Sequence, residues 1–126
     1  MELKAKLYLV DEEGNKFMGI GVLWLLQQIR IHKSLRKGSS VLGISYSKAF
    51  AMVRNLEKSL GVAILDRKKG GANRDGATLT PFGEQFIELY ETFEQEAKLT
   101  LDEPYERFRE NLSLLFDEDE DHGGIE

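Results

Sequence analysis

The sequence contains no cysteine, which excludes a disulfide framework, a thiolate nucleophile and a thiolate metal site. Histidine is also scarce. The two histidines, His32 and His122, lie too far apart in the sequence to form a local ligand pair. We therefore expect no metal centre and no thiol chemistry in this chain.

Long apolar runs are absent as well. The longest, residues 22–26, is far shorter than the ~20 residues that a membrane-spanning helix requires. The N-terminal stretch MELKAKLYLVDEEGN carries acidic residues where a signal peptide would need an apolar segment. We expect a cytoplasmic protein that does not bind membranes.

A catalytic constellation is the third feature that the sequence lacks. Its many C-terminal carboxylates fall on the polar faces of predicted helices, whereas an acid–base pair needs an apolar pocket and a companion group. Gly70 and Gly71 resemble a phosphate-binding turn, but neither GK[ST] nor the helix of a P-loop follows them directly. We predict that the chain is not an enzyme, has no catalytic residues and uses no cofactor.

The charge of the chain is unevenly distributed. Residues 30–75 hold eleven basic and three acidic side chains, a net charge of +8, although the whole chain has a formal net charge of −5. The flanks hold the other six basic and nineteen acidic residues. A basic centre between acidic arms indicates a surface that binds a polyanion. Ordinary solvated charge on helix faces is the alternative that charge alone leaves open.

Two capped helices in the basic region predict a helix-turn-helix. Apolar residues at helical spacing predict a first helix over residues 20–33. Ser34 is placed to cap a short second helix that ends before Gly43, and Ser45 to cap a longer third helix that Gly61 ends. Small residues suit the close approach of the helices in such a motif: Gly38, Ser39, Ser40 and Ala49.

Short strands are predicted on both sides of these helices. Apolar and polar residues alternate from Leu3 to Leu9 and a DEEGN turn follows, so residues 1–19 should form an N-terminal strand or hairpin. Residues 62–65 and 77–79 read as two strands joined by a basic, glycine-rich loop. We interpret this second hairpin as a wing.

A long amphipathic helix is predicted after the wing. Thr80 can cap its first turn, and Pro81 at the first helical position loses no hydrogen bond. Apolar residues then recur every three or four positions. They exceed what a small domain can bury alone, so part of the stripe should face a second copy of the chain. The stripe comprises Phe82, Phe86, Leu89, Tyr90 and Phe93.

The length of 126 residues and the hydrophobic content of 41% allow one core with appendages. We predict a domain over residues 1–101, which includes the hairpin at 1–19 and the long helix at 80–101. Residues 102–126 should form a short helix, restarted at Pro104, and an acidic tail that is disordered from Asp117 onward.

The order of these pieces resembles a known family. The segments GISYSKA and NLEKSLG, the paired glycines of the wing and LTPFGE resemble, in this order, the DNA-binding domain of the ModE-type molybdate-responsive regulators. LysR-type regulators resemble the chain more distantly. The resemblance covers residues 3–97. It implies a mainly α fold with small β-hairpins, a winged helix-turn-helix that carries a long C-terminal dimerisation helix.

The resemblance also implies a homodimer that binds a pseudo-palindromic site on double-stranded DNA. The long helix would form the dimer interface, helped by the N-terminal strand and by Leu23 of the first helix. Full-length members carry C-terminal modules that bind molybdate or tungstate. Because only residues 98–126 follow the resemblance in this sequence, we expect no molybdate or tungstate binding here.

In a helix-turn-helix the N-terminal turns of the second motif helix enter the major groove, where side chains reach base edges. We predict base contacts from the exposed face that starts at Ser45 and backbone contacts from the flanking basic residues. The predicted DNA-binding residues are Arg36, Lys37, Ser45, Tyr46, Ser47, Lys48, Ala51, Met52, Arg54, Asn55, Arg67, Lys68, Lys69 and Arg74.

A second hypothesis belongs to a different class. The chain could be a non-enzymatic winged-helix interaction module whose acidic arms bind a protein partner. DNA binding that prefers one sequence over random duplex discriminates between the two hypotheses.

Overall fold

The structure is a computed structural model that describes residues 1–67 and 76–121. Its fold is mainly helical with two small antiparallel hairpins, as predicted. None of the helices in these described ranges is long and apolar enough to cross a membrane. The elements in chain order are β1 (Tyr8–Val10), β2 (Lys16–Gly19), α1 (Ile20–His32), α2 (Leu35–Leu42), α3 (Tyr46–Leu60), β3 (Leu65–Arg67), β4 (Ala77–Leu79), α4 (Pro81–Leu99) and α5 (Asp102–Asp121).

The chain divides into two compact units. One spans Lys6–Glu91, and the other consists of Met1–Ala5 with the chain from Thr92 onward. A single hydrophobic core fills the first unit, where apolar side chains of α1, α3 and the hairpins meet. The predicted domain boundary at residue 101 stays a prediction. The largest fully buried side chains of this core are Met18, Leu25, Leu26, Ile29, Val53, Leu56, Ile64 and Ile87.

The predicted caps of α2 and α3 are confirmed. The hydroxyl of Ser34 accepts a hydrogen bond from the Lys37 amide at 3.0 Å, and that of Ser45 accepts one from the Lys48 amide at 3.1 Å. Gly43 ends α2 with a φ of +71°, a left-handed conformation that glycine adopts without steric cost. Only three residues therefore separate α2 from α3, the short turn of a helix-turn-helix.

The start of α4 is fixed to the chain just before β3. The Thr80 hydroxyl accepts a hydrogen bond from the Gly83 amide at 3.0 Å and donates one to the Ala63 carbonyl oxygen at 2.8 Å. Pro81 is the first residue of the helix, as predicted. Thr80 thus caps α4 and joins it to the base of the wing hairpin.

The first strand is shorter than the sequence pattern predicted. The alternation suggested a strand from Leu3 to Leu9, but β1 comprises only Tyr8–Val10. Tyr8 pairs with Gly19, the last residue of β2, and the chain enters α1 at Ile20. Residues before Tyr8 would have to pair with residues after Gly19, which are already in α1. The strand therefore cannot extend toward Leu3.

The wing hairpin begins later than predicted. The pattern placed a strand at residues 62–65, whereas β3 runs from Leu65 to Arg67 and pairs with β4 in antiparallel register. The Glu57 carboxylate of α3 accepts hydrogen bonds from the Ile64 amide at 2.8 Å and the Leu65 amide at 3.3 Å. The Ile64 amide is thus bound to α3, and the ladder with β4 starts one residue later, at Leu65.

The last helix is longer than predicted. We expected a short helix and disorder from Asp117 onward, but α5 continues to Asp121, so the prediction is wrong at residues 117–121. No glycine or proline occurs between Pro104 and Gly123, and nothing in the backbone chemistry stops the helix in this interval. The remaining tail, with His122, lies outside the described residues.

Candidate nucleic-acid interface

Helix α3 presents a polar face opposite the core. Ala49, Val53 and Leu56 are buried, and the residues on the other side of the helix are exposed. Glu57, the one acidic residue of α3, is directed to the amides before β3. The exposed face therefore carries cations and neutral groups but no carboxylate. It comprises Ser47, Lys48, Ala51, Arg54, Asn55 and Lys58.

One edge of this face is a stack of arginines and aromatic rings. The Arg36 guanidinium carbon lies 4.5 Å from the Tyr46 ring centre, and the Tyr46 and Phe50 ring centres are 6.3 Å apart. A guanidinium over an aromatic ring is held by cation–π attraction while its edges stay able to donate hydrogen bonds. Tyr46 itself remains 38% exposed. The stack thus positions both Arg36 and the Tyr46 hydroxyl beside the first turn of α3.

Arg67 extends the same stack to the base of the wing. Its guanidinium carbon lies 4.5 Å from the Phe50 ring centre, and that of Arg54 lies 5.8 Å from it. Arg67 is half-buried, so part of its function is to pack β3 against α3. No sequence pattern indicates this packing, because Phe50 and Arg67 are seventeen positions apart.

Most of the predicted DNA-binding residues lie on one surface. Seven of them, from Ser45 to Asn55, are exposed on the N-cap and outer side of α3, and Met52 is partly buried at the border. Arg36 and Lys37 are exposed in the first turn of α2, beside that face. Three of the four predicted wing residues, Lys68, Lys69 and Arg74, lie outside the described residues.

The N-terminal hairpin also borders this surface, although none of its residues was predicted to bind DNA. Lys6 and Lys16 line a groove that Lys48 and Asn55 of α3 also line. Both lysines fall in the flank that is acidic in total, so the charge count concealed them. Only the fold brings them to α3, because no sequence pattern relates the hairpin to that helix.

The residues predicted to form the dimer interface fall into two groups. Leu23 and Tyr90 are buried in the core of the first unit, so they support α1 and α4 from within the protomer. On α4, Phe82, Leu89 and Phe93 are 40%, 71% and 45% exposed, and Phe86 is partly buried beside Phe82. The exposed members of this predicted set therefore all belong to α4.

Among residues 1–67 and 76–121, no group of three or more histidine, aspartate or glutamate side chains is arranged to hold a metal ion. Basic and aromatic groups form the surface beside the first turns of α3, whereas Asp11, Glu12 and Glu13 lie beside its C-terminal end. The chemistry of this surface is that of binding an extended anion.

The chain is similar in sequence to curated regulators. It is 35% identical over 80 residues to the transcriptional regulator ModE of Yersinia pestis, a match that covers 61% of this chain and 30% of that protein. It is 31% identical over 71 residues to the DNA-binding transcriptional dual regulator ModE of Escherichia coli K12, covering 56% of this chain and 27% of that protein. The chain thus spans less than a third of the length of these relatives.

Solved structures share the fold. The CbnR_DBD–DNA complex matches with a TM-score of 0.57 at 21% identity, covering 71% of this chain and 98% of that chain. The BenM_DBD/catB site 1 DNA complex matches with a TM-score of 0.51 at 21% identity, covering 67% and 85% of the two chains. These likenesses confirm the predicted winged helix-turn-helix architecture.

A family model matches residues 22–84, which span α1, the helix-turn-helix, the wing hairpin and the first turn of α4. This match covers half of the chain. The hairpin β1–β2 precedes it, and most of α4 and all of α5 follow it. The chain belongs to the lysR family of bacterial regulatory helix-turn-helix proteins.

Proposed function

We propose that this chain is a sequence-specific regulator of transcription that binds double-stranded DNA. The observation that carries the proposal is the carboxylate-free exposed face of α3, which the three-residue turn after α2 sets at the edge of the core. A helix of this kind fits the major groove, where its N-terminal side chains reach base edges. The matched solved structures include two DNA complexes of the same fold, which supports the assignment.

Base reading is assigned to the first three turns of α3. Tyr46 and Ser47 offer hydroxyl groups, Lys48 a cation and Asn55 an amide that can pair with an adenine edge. Arg36 and Lys37 of α2 are proposed to contact phosphate oxygens beside the groove, together with Arg54, which lies on the same edge of α3 as Tyr46 and Phe50. The predicted wing cations Lys68, Lys69 and Arg74 belong to the same proposal as backbone contacts.

The proposed assembly is a homodimer on a pseudo-palindromic DNA site. The exposed apolar side chains of α4 support it. Leu89 is 71% exposed in the single chain, and its burial against a second copy would be favourable. Two copies of α3 related by a twofold axis would read two half-sites. This function places the protein in the cytoplasm, where bacterial DNA is accessible, and requires neither an enzymatic activity nor a cofactor.

Fluorescence anisotropy tests the proposal. The purified protein is titrated into labelled DNA from upstream of its own gene, and into random duplex of equal length, over a range of salt concentrations. We expect binding to at least one upstream segment that is ~10³-fold or more tighter than binding to random duplex. Equal affinity for every duplex would overturn the regulator function and favour the protein-interaction module.

A further inference from the structure

A groove runs between the N-terminal hairpin and α3. It has a volume of about 360 Å³ and is lined by both strands of the hairpin, by the first residues of α1 and by one side of α3. The α3 residues are Lys48, Met52 and Asn55, which lie four and three positions apart and so share one side of the helix. Lys48 and Asn55 also belong to the exposed face, so the groove is continuous with the proposed DNA surface.

The rim of this groove is positively charged. Three exposed lysines from three elements line it, Lys6 before β1, Lys16 in β2 and Lys48 in α3, and no carboxylate lines it. The Nζ atom of Lys16 lies 4.5 Å from the centre of the Tyr8 ring, a cation–π contact that orients the side chain. Within the described residues none of the three lysines forms an ion pair. Their charge is therefore not neutralised by an ion pair, although Lys16 also borders the acidic turn of the hairpin.

The tip of the hairpin has the opposite charge. Asp11, Glu12 and Glu13 line a neighbouring depression beside Lys58 at the C-terminal end of α3. The turn is fixed, because the Asp11 carboxylate accepts hydrogen bonds from the amides of Glu13 at 2.9 Å and Asn15 at 2.8 Å. A polyanion lying along this side of α3 is attracted near Lys48 and repelled near the hairpin tip.

We propose that the β1–β2 hairpin is a third DNA-contacting element, in which Lys6 and Lys16 bind phosphates of the strand that borders the groove occupied by α3. The inference rests on the proposed function, since a helix in a major groove about 12 Å wide has a sugar–phosphate backbone on each side. The Arg36–Tyr46 stack faces one backbone and the hairpin faces the other. The acidic tip confines the second backbone to the N-terminal half of α3.

The hairpin lies before residue 22, where the match to the lysR family model begins. The proposed contact is thus an addition to the helix-turn-helix module rather than a part of it. Its ligand is the phosphate backbone, so it raises the affinity for every duplex and carries no base preference of its own.

The test is the salt dependence of binding in lysine variants of the full chain. Lys6→Gln, Lys16→Gln and the double variant are titrated with random duplex and with the preferred upstream duplex. The logarithm of the association constant K falls linearly with the logarithm of the salt concentration. Each lost phosphate contact should make this negative slope shallower by about 0.9 and weaken binding about fivefold at 0.15 M salt. Both duplexes should be affected equally. The matched control is Lys4→Gln, since Lys4 is paired with Glu2 and does not line the groove.

Two outcomes decide the matter independently of the proposed function. If the double variant keeps the wild-type slope while Lys37→Ala makes it shallower, DNA binding through α2 and α3 is supported and the hairpin contact is wrong. A shallower slope for the double variant, with the preference for the upstream duplex unchanged, supports the hairpin contact. Glu12→Gln with Glu13→Gln should tighten binding to both duplexes, and unchanged or weaker binding would contradict the repulsion at the tip.

Discussion

The position that a Cβ atom on Gly83 would occupy lies 2.6 Å from the backbone carbonyl oxygen of Ile64. That oxygen also accepts a hydrogen bond from the Thr80 amide at 2.9 Å, so it is not free to move away. Any residue larger than glycine must push α4 off the chain segment that leads into β3. Gly83 therefore sets how closely the long helix packs against the base of the wing.

Gly83→Ala should lower the free energy of unfolding by about 1–3 kcal/mol, because the added methyl group meets backbone rather than a flexible side chain. Gly21 in α1 is the matched control, since a Cβ there meets nothing within 4 Å. Gly21→Ala should leave the stability unchanged or raise it by up to about 0.5 kcal/mol, since Gly21 lies in the first turn of α1, where helix propensity counts for less than in the interior. Urea unfolding followed by circular dichroism measures both. A shift of the same sign in the two variants would contradict the steric explanation.

The local structure of this chain could be predicted from its sequence because it is set by residues close together along it. The Ser34 and Ser45 caps depend on amides three residues away, and both are confirmed. The glycine ends of α2 and α3 depend on backbone conformation at Gly43 and Gly61, where φ is +71° and +70°. The exposed face of α3 followed from the 3.6-residue period alone.

The parts that could not be predicted depend on contacts between distant segments. Glu57 binds the amides at the start of β3, but in the sequence it is indistinguishable from a solvent-exposed glutamate on a helix. Lys6 and Lys16 reach the side of α3 only because β1 and β2 pair and pack there. Likewise, Leu23 and Tyr90 fit an interface pattern as well as a core pattern, and only packing places them in the core.

The Tyr46 ring and its hydroxyl should have separable functions in DNA binding. Tyr46→Phe keeps the ring beside Arg36 and Phe50 but removes the group that can reach a base edge. We expect it to lower the preference for the preferred upstream duplex over random duplex by about 1–3 kcal/mol, while the affinity for random duplex stays unchanged. Tyr46→Ala should weaken random binding as well, because Arg36 loses the ring that positions it.

Anisotropy titrations of both duplexes distinguish these effects. Lys48→Ala should resemble Tyr46→Phe in losing preference, and Lys37→Ala should weaken both duplexes equally as a phosphate contact does. Equal behaviour of Tyr46→Phe and wild type, with loss of preference in Tyr46→Ala alone, would show that the ring and not the hydroxyl reads the site.

The exposed side chain of Leu89 provides a direct test of the homodimer. Leu89→Glu places a charge in the proposed interface, and we expect it to convert a dimer into a monomer in sedimentation velocity at tens of micromolar protein. Leu114 on α5 is a suitable control because it is similarly exposed, at 60% against 71%. Leu114→Glu should leave the dimer intact. Dissociation by Leu114→Glu alone would show that the interface lies on α5 and not on α4. A monomeric wild type would contradict the homodimer.

The similarity to molybdate-responsive regulators raises the question of oxyanion binding by this chain. Tight binding of a tetrahedral oxyanion requires several convergent backbone amides and hydroxyls in a preformed pocket. The basic groove beside α3 is instead lined by exposed lysine side chains and mostly apolar residues, with Tyr8 as its one hydroxyl-bearing residue in the described part of the chain. Such a site attracts anions by charge without selecting among them. We therefore expect DNA binding to be unaffected by micromolar molybdate or tungstate.

Calorimetric titration of molybdate into the protein at physiological salt, with sulfate as the matched tetrahedral control, measures the selectivity directly. Weak and equal heats for the two anions are expected, since both carry two negative charges and the lysines distinguish them only by charge. The Lys6→Gln and Lys16→Gln double variant should reduce both heats together. Saturable binding of molybdate at micromolar concentration, with no binding of sulfate, would contradict the prediction. It would require a selective oxyanion site that the groove beside α3 does not provide.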